Sequence, residues 1–70
     1  MAYTKDDAIS FGISSAEMAL DQAGEYKSIQ DAIDSYRGNV RDTLKDEKAV
    51  EWEQAAWEAF DTYIQKHNKA

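Results

Sequence analysis

Between Lys45 and His67 the apolar residues recur with the period of an α-helix, and that period dictates a two-sided rod. At 100° per residue, Ala49, Val50, Trp52, Ala56, Trp57, Ala59, Phe60, Tyr63 and Ile64 fall within about half the helix circumference. Glu47, Glu51, Gln54, Glu58, Asp61, Thr62, Gln65 and Lys66 fall on the other half. The pattern predicts a helix over about 46–66, opened by Asp46 or by Thr43 with Asp46, with both tryptophans turned inward. Lys66, His67 and Lys69 at its end suit the negative pole of the helix dipole.

Two further helices are expected upstream. Thr4 and Asp7 have the spacing of a capping box, with Asp in place of the usual Glu, and start a helix over about 4–23. Its apolar stripe is Ile9, Ile13, Ala16, Leu20 and Ala23, and Gly24 stands where a left-handed residue would end it. Ser14 with Glu17 offers a second cap, but the stripe passes that point without changing phase, so one continuous helix is expected. Ser28 with Asp31 caps the next helix, over about 28–44, whose stripe is Ile29, Ala32, Ile33, Tyr36, Val40 and Leu44. Gly38-Asn39 interrupts it. Gly38 lies almost opposite the stripe, where glycine costs about 1 kcal/mol against alanine, less than burial of four large side chains supplies. Nothing reads as a strand, and proline is absent. The expectation is an all-α, small three-helix bundle formed by residues 1–70 as one domain, with short turns making neighbours antiparallel.

A chain of 70 residues has a small core. Without cysteine, and with one histidine, it has neither disulfide nor structural zinc to support that core. Burial falls to two tryptophans, four tyrosines and two phenylalanines. Dimerisation is the other common remedy. No apolar run approaches membrane-spanning length, and the acidic start of the chain lacks the pattern of a signal peptide, so a cytoplasmic location is expected. A formal net charge of −6 argues against direct nucleic-acid binding, which needs a stripe of Lys and Arg, and suits either a basic protein partner or simple solubility.

Five features bear on function. Glu47, Glu51, Gln54, Glu58 and Asp61 form a line with four carboxylates, about 21 Å long at 1.5 Å rise per residue, able to meet a basic surface. Glu53 projects into the apolar half of its helix and calls for a pairing charge from Arg37 or Arg41. Phe11 and Met18 lie opposite the Ile9–Ile13–Leu20 stripe, two large apolar groups on a polar face that can anchor a partner or a second copy. Ala8, Gly12, Ser15 or Ala16, Ala19 and Ala23 make one flank of the first helix unusually small, which allows close backbone approach within the fold, the favoured use, or across a dimer. Arg37, Arg41, Lys45 and Lys48 are interleaved with Asp34, Asp42, Asp46 and Glu47, so their field is nearly cancelled.

Catalytic equipment is sparse. His67 is near a terminus, no Gly-rich phosphate loop or nucleophile elbow occurs, and a pair such as Asp31 and Asp34 makes only a weak cation site. A bundle this small is also expected to lack room for a ligand pocket of about 300 Å³ beside its core. No catalytic residue, cofactor or metal is expected.

Ala56-Trp57-Glu58-Ala59-Phe60 resembles the Ala-Trp-acid segment of the small disulfide-regulated linker proteins of the Calvin cycle. The likeness spans five residues, and the cysteine pairs that family uses for switching have no counterpart here, so no role is carried over. The general profile is similar to small acidic accessory proteins of phages and mobile elements, a class analogy. The sequence therefore predicts a small acidic non-catalytic protein-binding module, an inhibitor or adaptor of a larger host complex. Phe11, Met18, Glu47, Glu51, Glu58 and Asp61 are its expected partner-binding residues. The alternative is a structural homo-oligomeric helical protein, and a third reading is a nucleic-acid mimic occupying a basic groove.

Overall fold

The computed structural model describes residues 3–67. Three α-helices, α1 (Lys5–Asp21), α2 (Ile29–Asp46) and α3 (Glu53–His67), form an all-helical bundle, with short 3-10 turns at Ala23–Glu25 and Val50–Trp52. The expected contribution of Lys69 to the end of α3 lies outside the described residues. No helix among them is long and apolar enough to cross a membrane.

Both expected N-terminal caps form. The Asp7 N–H donates to Thr4 Oγ1 at 3.1 Å and the Thr4 N–H donates to Asp7 Oδ2 at 3.0 Å, the reciprocal pair of a capping box. The Asp31 N–H donates to Ser28 Oγ at 3.2 Å, starting α2. Helix α1 runs unbroken past Ser14, and α2 runs unbroken past Gly38-Asn39. Gly24 is not a left-handed cap, because no described glycine has positive φ. The chain leaves α1 through a 3-10 turn instead.

The third helix starts later than its pattern predicts. Helix α2 continues to Asp46, and Lys48 takes φ 57°. The Ala49 N–H then reaches back to the Leu44 carbonyl at 2.8 Å and the Lys48 N–H to the Lys45 carbonyl at 3.1 Å. These are the paired bonds of a Schellman motif, with Ala49 and Leu44 supplying its buried apolar contact. Asp46 therefore ends a helix rather than opening one. Val50, expected inside, is 54% exposed in the turn that follows.

Helix α1 is the centre of the packing. It contacts both other helices along its length, while α2 and α3 touch each other at few points. Its buried face is Ala8, Gly12, Ser15, Ala16 and Ala19. That face is rotated by roughly 80° from the predicted Ile9–Ile13–Leu20 stripe, at 100° per residue. A helix wedged between two others points its small side chains into the crevice, so the backbones approach closely. Its large side chains reach sideways, Ile9 and Ile13 toward α3 and Phe11 and Met18 toward α2. The approach is close at Gly12, where an added Cβ would sit 2.5 Å from the Ala56 carbonyl oxygen.

Helix α2 buries the predicted stripe, with Ala32, Ile33, Val40 and Leu44 inside. Helix α3 buries Ala56 and Phe60, and Trp52, Trp57, Tyr63 and Ile64 pack half-buried against the core. Phe60, Leu44 and Val40 are the largest side chains fully removed from water.

Candidate functional site

Phe11 and Met18 line one groove of about 330 Å³ between α1 and α2. They lie on the flank of α1 opposite Ile9 and Ile13, and neither flank is the buried face: Phe11 packs against the core edge, and Met18, 49% exposed, projects beyond it. The facing wall comes from α2, where Tyr36, Asn39, Asp42, Thr43 and Asp46 recur at helical spacing on one side. The charged residues lining this groove are both acidic. Asp42 has Arg41 at 3.7 Å in a well-exposed pair, which screens it little. Asp46 stands in the last turn of α2, where the helix dipole disfavours a carboxylate. The sequence reading missed Asp42 and Asp46 as groove residues. Their i, i+4 spacing was the available signal, hidden by the assignment of Asp46 to the start of the next helix.

The acidic line over Glu47–Asp61 is not continuous, and this corrects the expected docking row. Glu47 caps the C-terminus of α2, Glu51 belongs to the 3-10 turn, and only Gln54, Glu58 and Asp61 share α3. Glu47, Glu51 and Glu58 are exposed. Asp61 is half-buried and engaged by Arg37. The line is broken because Lys48 turns the backbone between Glu47 and Glu51.

Arg37 does not pair with Glu53. Its guanidinium donates to Asp61 Oδ1 and lies 5.3 Å from the Trp57 ring centroid and 5.2 Å from that of Phe60. Those two rings meet edge to face at 6.2 Å. One arginine thus ties α2 to α3 by charge and by ring contact. Glu53, half-buried, begins α3, where the positive pole of the helix favours a carboxylate.

A larger groove of about 510 Å³ runs between α1 and α3. Ile9, Ile13, Ala55 and Ala59 form its apolar walls, with Lys5, Lys66 and His67 toward one end. A third, of about 300 Å³, lies beside Arg37 and Trp57. These volumes lie in open grooves between the helices rather than inside the core.

Chemically perturbed groups are few. The Tyr3 hydroxyl donates to the Asp7 carbonyl at 3.4 Å, and burial, then the nearby charges of Asp7 and Glu47, push its pKa upward. His67 stacks on Tyr63 with ring centroids 4.2 Å apart. Among the described residues no cluster of three or more His, Cys, Asp or Glu is arranged to hold a metal ion, and every buried side-chain nitrogen or oxygen has a hydrogen-bond partner. Comparison with protein-family models, with curated proteins and with solved structures found no match to this chain.

Proposed function

We propose that this chain is a small, non-catalytic protein-binding module whose contact site is the groove between α1 and α2. The observation that carries this reading is Met18, standing exposed over a Phe11 floor with Asp42 and Asp46 on the opposite rim. Such a site suits a partner that inserts an apolar side chain flanked by lysine or arginine. The apolar contact supplies affinity, and the carboxylates supply orientation and association rate. A net charge of −6 adds long-range attraction to a basic partner. The role in keeping with this is an adaptor or inhibitor of a larger complex.

Capture from a lysate of the native cells tests the reading. Met18→Glu and the pair Asp42→Lys with Asp46→Lys should each retain the helical circular dichroism signal and lose a specific partner. Glu51→Lys with Glu58→Lys, outside the groove, should retain it. The Asp42/Asp46 effect should shrink as salt rises. Capture that survives both groove variants removes this site, and capture lost only with Glu51 and Glu58 returns the contact to the remnants of the acidic line.

A further inference from the structure

The face of α1 toward α3 follows a different logic from the groove around Met18. Lys5, Ile9, Ile13 and Glu17 are each four residues apart and form one continuous ridge along the helix. Lys5 and Glu17 are exposed at its ends, Ile9 is half-buried and Ile13 is 39% exposed. Beside the ridge runs the 510 Å³ groove, whose α3 wall is lowered by the short side chains of Ala55 and Ala59. The groove is apolar at Ala55 and Ala59 and polar at Glu58 and Thr62, so an exposed isoleucine ridge beside it can pack on the ridge of a second copy with charged groups at its margins.

The order of the ridge selects the occupant. Reversed end for end, cation–Ile–Ile–anion becomes anion–Ile–Ile–cation. Two copies laid antiparallel about a two-fold axis midway between Ile9 and Ile13 therefore set Lys5 opposite the partner's Glu17, and Ile9 opposite the partner's Ile13. A parallel arrangement would set lysine on lysine and glutamate on glutamate. Lys66, at the Lys5 end of the groove, adds positive charge where the partner's Glu17 arrives. We propose that this face binds a second copy of the chain in an antiparallel, two-fold symmetric dimer. A small core with no disulfide gains from the added apolar burial.

Sedimentation equilibrium over a wide concentration range tests this, with circular dichroism confirming the fold of each variant. The wild-type chain should show a reversible monomer–dimer equilibrium. The two-fold axis applies each substitution twice, so Ile13→Glu should weaken dimerisation by about 100-fold. Lys5→Glu and Glu17→Lys should each weaken it, and adding Lys5→Glu to Glu17→Lys should recover part of the loss, because the exchange restores the 5–17 pair while Lys66 stays in place. Met18→Glu, on the other flank of α1, should leave the dimer intact. A wild-type chain that stays monomeric at the highest concentration overturns the proposal. So does a dimer indifferent to Ile13→Glu, or a double reversal no better than Glu17→Lys alone.

Discussion

Gly12 of α1 and the carbonyl of Ala56 in α3 lie so close that a single methyl group at position 12 would sit 2.5 Å from the carbonyl oxygen. The obstruction is backbone, which cannot swing aside as a flexible side chain would. This contact lies between the two helices that pack most extensively.

Gly12→Ala therefore pits two effects against each other. Helix propensity favours alanine by about 1 kcal/mol. Overpacking against a backbone costs roughly 1–3 kcal/mol and forces α1 away from α3. The clash should win, so Gly12→Ala should lower the urea midpoint. Gly38→Ala should raise it, by the full propensity gain, because nothing stands within 4 Å of its added Cβ. Urea titration of the two variants side by side reads the opposite signs.

The fold class was legible in the sequence because the local signals agreed. Thr4–Asp7, Ser28–Asp31 and the α2 stripe each carry a mechanism that the structure uses. The two misplacements have identifiable causes. Helix α2 ends in a Schellman motif with lysine at the left-handed position, so the glycine that would announce the stop is missing. The apolar period then reads straight through from Ala49 to Ile64 and joins α3 to the turn before it. In α1 the misleading rule was that large apolar residues mark the buried face. A helix packed on two sides inverts it, and the small flank that did stand out in the sequence is the true core face. The contact surfaces were read less well. Phe11 and Met18 do share a groove, but its α2 wall was obscured by the misplaced helix start, and the acidic line depended on a helix that the chain interrupts.

The left-handed lysine gives a second prediction. An L-residue in this conformation costs about 1–2 kcal/mol that glycine avoids. Lys48→Gly should therefore stabilise the protein, offset in part by the greater freedom glycine gives the unfolded chain. Thermal unfolding should show a higher midpoint. Lys48→Val, branched at Cβ, should lower it.

The link from Arg37 to Asp61, Trp57 and Phe60 joins α2 and α3, which otherwise touch little. Both charged side chains are more than a third exposed, so solvent screening limits the ion pair to about 0.2–1 kcal/mol. Contact with the rings adds about 0.5–1 kcal/mol. A double-mutant cycle of Arg37→Ala with Asp61→Ala should return a coupling in the lower of these ranges. Arg37→Ala alone should cost more than Asp61→Ala alone, because only the arginine also covers the rings.

Tyr3 gives a pH dependence of definite sign. Its folded pKa is raised above the ordinary value of 10.0 by burial and by Asp7 and Glu47. The native state then holds the phenolic proton more tightly than the unfolded chain does. Its contribution is fully present below that ordinary value and is lost as pH rises through the higher folded pKa. Tyr3→Phe should flatten this part of the alkaline decline. Denaturant titrations of both chains across the alkaline range make the comparison.

The most direct test of the proposed contact site uses the absence of cysteine from the chain. Met18→Cys carries a thiol-reactive photo-cross-linker at one position within the groove between α1 and α2, and Glu51→Cys carries the same probe at an exposed position outside it. Illumination in a lysate of the native cells should join one discrete protein to the probe at position 18 and not to the probe at position 51. Equal labelling from both positions, or a discrete adduct from position 51 alone, would contradict the assignment of this groove as the binding site.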